Sequence, residues 1–477
     1  MGKTLCASRG TWAAVGVVVL GGCSTILGID NDYGLAGASG SGSSGSTSSS
    51  GTGGGAASSS GAGGSACVPV DDKNLCTEDK CVGGVPVNEP VSGTKCNVTG
   101  MCNAKGACVT PCLGTLGFIA APPVQVGQTP GGVTIADFDK DGKLDLAVVN
   151  VGDETVSVLG GNGGGTFVVD AVPTFLGGYP VAIVAVDLDG DGNMDIVVAN
   201  FGADSVNVLW GNGDGLFVDP PSSYSMGVDS NPDFVAVLDL NGDGFLDLAV
   251  ANQGNDTVGV LLRNGARKFS AAATHAVDPH PNAVVALDLD GDGTPDLAAS
   301  SGNSSTVRVL HGEKMGAFVN ANYFDQIFTP SAMTALDLNN DDQPDIVVAN
   351  ALPDPVVMPT INTVSVLFNQ GKGMFSPKVL FKVGAGPRAV VGVDLNGDGK
   401  PDLAVASSMS NTVSVLLHTA VGPGNDGKAF ALALSPMTGI GPDAIATADL
   451  NGDGRPDLVT TNGGDHSVSI LLNTCTP

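Results

Sequence analysis

The sequence is poor in aromatic side chains and in cations. Phe, Trp and Tyr make up 5% of the 477 residues, so the 42% hydrophobic content rests mainly on Val, Ala and Leu. Lys and Arg number 20 against 48 acids, a formal charge of −28. That balance excludes nucleic acid as a partner, because phosphates need Lys and Arg. It also excludes electrostatic docking on anionic lipid. Long apolar runs are missing too: the one marked run, Trp12 to Leu20, is about half the ~20 residues of a membrane span. Beyond it no segment shows a capped helical stripe. Nucleophile elbow, zinc motif and phosphate loop are all absent, and the five His stand far apart at 275, 280, 311, 418 and 466.

The acids that are present are not scattered. A nine-residue loop, D-x-[DN]-x-D-x-x-x-D, occurs seven times at intervals of 49 to 57 residues. Positions 1, 3, 5 and 9 are Asp137, Asp139, Asp141 and Asp145 in loop one, and Asp187, Asp189, Asp191 and Asp195 in loop two. They are Asp239, Asn241, Asp243 and Asp247 in loop three, and Asp288, Asp290, Asp292 and Asp296 in loop four. Loop five has Asp337, Asn339, Asp341 and Asp345, loop six Asp394, Asn396, Asp398 and Asp402, and loop seven Asp449, Asn451, Asp453 and Asp457. These positions hold 24 carboxylates, half of all acids in the chain. Without a cation they would repel one another. The spacing predicts Ca²⁺, which takes six to eight oxygens in a tight loop; Mg²⁺ demands a stricter octahedron. Position 7 (Lys143, Asn193, Phe245, Thr294, Gln343, Lys400 and Arg455) is expected to add a backbone carbonyl. Loop five has Asp342 where the other six have a turn glycine, so its site is expected to bind weakest or stay empty.

Register is strict around each loop. A proline stands seven residues before each first Asp: Pro130, Pro180, Pro232, Pro281, Pro330, Pro387 and Pro442. After the loop come an apolar run, an alternating segment such as Thr155-Val-Ser-Val-Leu159, and a Gly-rich turn often closed by Phe. Period-two alternation with Gly, Asn and Pro punctuation predicts about four short strands per unit. One such sheet cannot cover its faces, but seven around an axis can. The fold class read here is therefore all-β, a seven-bladed β-propeller. Its units resemble FG-GAP/VCBS repeats of the integrin-α type over residues 113–477. The resemblance implies Ca²⁺ in the loop joining the first two strands of each blade. The last unit stops at Val468-Ser-Ile-Leu-Leu472, and Gly114 to Val126 looks like its missing fourth strand. Cys112 and Cys475 flank that seam and are expected to be bonded.

Before the repeats, residues 1–22 read as a secretory signal, and Leu20-Gly21-Gly22-Cys23 resembles a bacterial lipobox. The resemblance implies acylation of Cys23 and a lipoprotein of the bacterial cell envelope. Residues 23–66, rich in Gly and Ser, read as a disordered flexible tether with a reach of roughly 35–40 Å. Residues 67–112 carry seven Cys and with Cys475 make eight, an even set that points to disulfides in a small Cys-rich module.

Every blade has the same loop, whereas catalysis needs asymmetry, so the metal role is expected to be structural. The opposite face carries varied turns, including an eight-residue insertion around residues 352–359 in unit five. The seven turns between strands two and three contain no Lys or Arg, which favours a neutral glycan or a protein ligand over an anionic one. Tyr179, Tyr224, His280, Tyr323 and His466 are candidate contacts there. A monomeric display module for adhesion or ligand binding is the expected function, with membrane contact only through the lipid. The alternative is a polysaccharide-degrading enzyme, a lyase or glycosidase, built on the propeller.

Overall fold

The computed structural model describes residues 115–476, apart from 170–172, 218–219, 266, 326, 352–361 and 420–429. Before residue 115 it describes strand backbone only, at Val18–Val19 and in two antiparallel pairs, Thr77–Val82 with Val85–Pro90 and Met101–Cys102 with Cys108–Val109. Cys23, Cys112, the unit-five insertion and the side chain of Cys475 lie outside the described residues, and with them the lipid and disulfide expectations.

Seven antiparallel sheets follow one another along the chain. Blade one consists of Pro130–Ala136, Asp145–Asn150, Thr155–Gly161 and Phe167–Val169. Blade two repeats it with Pro180–Val186, Asp195–Asn200, Ser205–Leu209 and Ser222–Ser225. Each innermost strand packs beside those of the neighbouring blades, and the seventh packs beside the first, which closes the ring. The seal is the one the sequence suggests. Thr115–Ala120 pairs with the third strand of blade seven, Ser467–Thr476, and supplies its fourth strand.

The apolar pattern explains the layering. The second strand of every blade, from Asp145–Asn150 to Asp457–Asn462, is buried along its whole length. A strand covered on both faces needs a continuous apolar run rather than alternation, and Leu146-Ala-Val-Val149 is such a run. The residues three after each proline, from Val133 to Ile445, are fully buried between innermost strands. With few aromatics, blade contacts rely on small β-branched side chains, plus one repeated aromatic pair. A ring on the fourth strand meets the turn Phe of the next blade in Tyr224–Phe269, Phe324–Phe375 and Phe381–Phe430, at 5.1 to 5.3 Å edge to face. Among the described residues the helical turns are two 3-10 segments, Phe201–Ala203 and Lys314–Gly316.

Candidate functional site

Each acidic loop joins the innermost strand of a blade to its second strand, so all seven lie at one end of the ring. Position 1 is the hub of the turn. Asp187 Oδ1 accepts the N–H groups of Gly190 at 2.8 Å and Asp191 at 3.1 Å, and its Oδ2 accepts that of Gly192 at 2.9 Å. Asp239, Asp288 and Asp394 accept the same three. Position 3 accepts from the N–H of position 5, whether it is Asp, as in Asp139 at 3.0 Å, or Asn, as in Asn241 at 2.8 Å. Position 5 accepts from the N–H of position 7 in all seven loops.

This winding needs two left-handed residues, at positions 4 and 6. Position 6 is Gly in six loops, with φ from +81° to +88°, as at Gly192 with φ +82°. In loop five Asp342 stands there at φ +64°, and Asn340 at position 4 is left-handed too, at +58°. Loop five is thus the one loop with no glycine at either position. The need for a left-handed position 4 was not read from the sequence, although Gly occupies it in five loops.

Position 9 does more than complete a ligand set. Asp195 Oδ2 accepts the N–H of Leu188 at 2.9 Å, and its Oδ1 accepts that of Gly211, at the end of the third strand, at 2.7 Å. Asp145, Asp247, Asp296, Asp345, Asp402 and Asp457 make the same two bonds. One carboxylate therefore ties three strands of a blade together. Burial pushes Asp195, Asp402 and Asp457 up to about 7, Asp247 to about 6 and Asp345 to about 8. The two N–H donors oppose the shift, and the neighbouring loop carboxylates add to it.

The donor set is almost entirely oxygen, the kind that suits a hard divalent cation. In loop one Asp137, Asp139 and Asp145 bring oxygens within 4.8 Å of one another, and in loop two Asp187, Asp189 and Asp195 do so. Asp288, Asp290 and Asp292 form such a group in loop four. The three loops with an all-carboxylate triad are those with Asp rather than Asn at position 3. Asp137 Oδ1 is buried and has no hydrogen-bond partner. Such an atom needs a cation or water. Loop four adds a group the sequence reading did not select: His311 Nδ1 lies 3.3 Å from Asp296 Oδ1 and 3.4 Å from Asp290 Oδ2.

The opposite end of the ring differs from blade to blade. Every innermost strand has a register shift just after its proline, a β-bulge that frees one residue from the ladder. The residues after the prolines are Gly131, Val181, Asp233, Asn282, Ser331, Arg388 and Asp443. Gln253 Nε2 donates to Asp233 Oδ2 at 3.0 Å, Ser331 Oγ donates to the Pro387 carbonyl at 2.8 Å, and Arg388 Nε lies 3.3 Å from Asp443 Oδ1. The sequence signal was available: this is the least repetitive position of a repeating strand. It also places Arg388 at an end where the inter-strand turns alone suggested no cation.

Of the five aromatic and histidine candidates, Tyr179 and Tyr323 are exposed. His466 Nδ1 accepts the Thr129 N–H at 3.0 Å across the ring seam, and the His280 N–H donates to Asp256 at 2.9 Å. Tyr224 is engaged between blades. It packs on Phe269, and its hydroxyl donates to the Arg267 carbonyl at 3.0 Å, in a turn at the acidic-loop end. Its ring lies between blades two and three, which an alternating sequence pattern does not disclose.

No curated protein matches this chain. Among solved structures, BBS1N in complex with ARL6DN is similar over 76% of this chain and 98% of that one, at 12% identity and TM-score 0.54. Virginiamycin B lyase from Staphylococcus aureus aligns over 75% and 99% at 12% identity and TM-score 0.48. The periplasmic gluconolactonase PpgL of Pseudomonas aeruginosa aligns over 70% and 99% at 18% identity and TM-score 0.48. At such identities likeness speaks for fold alone, and the two enzymes align too loosely to bear on chemistry. Residues 137–198, 187–250, 239–299, 288–348, 351–405 and 394–460 each match the FG-GAP-like repeat, and the chain belongs to that family.

Proposed function

We propose that this protein is a ligand-binding module of the bacterial cell envelope. Calcium in the acidic loops braces its propeller, and the opposite end of the ring meets the ligand. The observation that carries the reading is the contrast between the two ends. One end repeats a single oxygen-rich loop seven times. The other presents six residue types across the seven copies of one bulge position. Repetition suits bracing and variety suits recognition. Ca²⁺ would be held by the side chains of positions 1, 3, 5 and 9 with the position 7 carbonyl, and its charge would neutralise carboxylates that now repel. A lipid on Cys23 and the Gly/Ser tether would hold the module at the membrane.

Neutral glycans and proteins are the partners favoured, since Asp233, Asp443, Asn282, Ser331 and Arg388 leave the bulge ring polar, with two acids against one cation. The test is retention of the calcium-loaded chain on a polysaccharide panel, with new chain ends assayed in the same wells. Retention that falls at least about tenfold in Arg388→Ala and Asp233→Asn, without new ends, supports binding at the bulge ring. New ends lost in the same variants would make the protein a polysaccharide-degrading enzyme. Retention unchanged in both variants would move the site elsewhere.

A further inference from the structure

The acidic loops are equivalent in register but not in what stands against them. In blades two to five the turn between the third and fourth strands lies at the same end and touches the loop of the preceding blade. In blade two the turn glycine Gly215 donates its N–H to the Phe138 carbonyl of loop one at 3.1 Å, and a Cβ there would lie 3.5 Å from that of Asp139, position 3. In blade four Gly316 stands in the same way 3.4 Å from Asn241, position 3 of loop three, and in blade five Gly373 stands 3.5 Å from Asp290, position 3 of loop four. These glycines are left-handed, with φ of +80°, +73° and +66°.

Blade three breaks the series with Arg267. It keeps the left-handed backbone, at φ +56°, a conformation that strains a non-glycine residue. The side chain sits where the register puts it, on loop two. Its Nε is 2.5 Å from Asp189 Oδ2 and its Nη2 is 3.0 Å from Asp191 Oδ2, so one guanidinium spans positions 3 and 5. Blade two holds it from two sides, and a second cation stands near the same loop. Trp210, itself buried and hydrogen-bonded through Nε1 to Ser222 Oγ at 2.9 Å, lies 5.2 Å beneath the guanidinium. Tyr224 holds the turn carbonyl, and Lys140 of loop one extends its Nζ to within 3.8 Å of a Cβ placed on Gly192 of loop two.

We propose that Arg267 is a tethered cation for loop two, taking the two carboxylate oxygens a metal ion would use and compensating two positions of this loop from the next blade, whereas Lys143 in loop one and Arg455 in loop seven each pair with one carboxylate of their own loop. The inference rests on the reading that the other loops take calcium. In it the guanidinium locks blade three to blade two and stays when calcium is withdrawn. A calcium ion entering loop two must break a two-pronged, charge-assisted contact, so loop two binds about ten- to a hundredfold more weakly than it would with glycine at 267. Loop five, with its two left-handed non-glycine residues, is weakened by backbone strain. Loop two is weakened by competition.

The experiment is a calcium titration of the full chain, stripped by chelator, read by calorimetry and by terbium luminescence. Three chains are compared: the natural one, Arg267→Gly, which restores the turn residue of the other blades, and Arg267→Gln, which keeps a side chain but removes the charge. We expect both variants to gain one tight equivalent over the natural chain. Trp210 emission should sensitise terbium at about ten- to a hundredfold lower terbium concentration in the variants than in the natural chain, because Trp210 stands beside loop two. Equal stoichiometry and affinity in all three chains would overturn the role of Arg267 and leave the calcium reading standing. No binding by any of them would overturn the calcium reading and this inference with it.

Discussion

At the scale of single residues, the position 9 aspartates carry most of the physics. Each is buried, each accepts two backbone N–H groups, and each sits among like charges. Their raised pKa values have a consequence with a definite sign. A carboxyl titrating near 7 when folded and near 3.9 when unfolded binds more protons in the folded chain between those values. The stability it contributes is complete below the unfolded value and is lost as pH rises through the folded one. The chelated protein is therefore expected to melt at a higher temperature at pH 5 than at pH 8, and calcium is expected to abolish or reverse that slope by holding the carboxylates ionised. A melt series at pH 5, 6, 7 and 8 with and without chelator reads it, and a chelated protein whose melting point rises with pH would contradict it. Asp342 offers a second test. Asp342→Gly removes a left-handed non-glycine residue, and a gain of about 1 kcal/mol in stability is expected, with tighter metal binding by loop five. Denaturant midpoints decide it. Unchanged or lower stability would mean that Asp342 compensates its strain with a contact of its own.

At the scale of elements, the blade was legible because three signals repeat together. The Asp loop marks the turn between the first two strands, the proline marks where the first begins, and Val-x-Val alternation marks the third. Seven copies in register leave little room for another arrangement. The sealing strand was legible for a related reason, since the last unit lacks one strand and Thr115–Ala120 has no unit of its own. Contacts between blades were not legible. Tyr224 reads as an exposed aromatic in an alternating segment, yet its ring meets a Phe 45 positions along the chain. Arg267 carries no signal in the sequence reading, and only the closed ring brings it to Asp189, 78 positions earlier. His311 reaches Asp290 and Asp296 by the same kind of fold-level proximity. Removal of Thr115–Ala120 tests the seal. The edge of Ser467–Thr476 would be left unpaired, and an unpaired edge invites association with other chains. A truncated chain beginning at Val126 is expected to melt at least about 5 °C lower and to self-associate in sedimentation, whereas an unchanged melt would mean that the ring closes without it.

At the scale of the whole molecule, the charge of −28 and the shortage of aromatics belong together. Small side chains give thin contacts between blades, and half of the acids are spent where blades begin and turn. Under the proposed reading, such a ring would gain stability from cations at its loops and leave the other end free to vary. The loop design was readable from spacing alone. The polar bulge ring was not, because its residues are far apart in sequence and converge only when the innermost strands gather about one axis. The central claim is that the propeller is braced by calcium. The direct measurement is the calorimetric melting temperature of the full chain in millimolar calcium and after exhaustive chelation. Several occupied loops, each adding roughly 2–3 kcal/mol at a hundredfold excess over its dissociation constant, should raise the melting temperature by about 10 °C or more. The same melting temperature in both conditions would contradict the account.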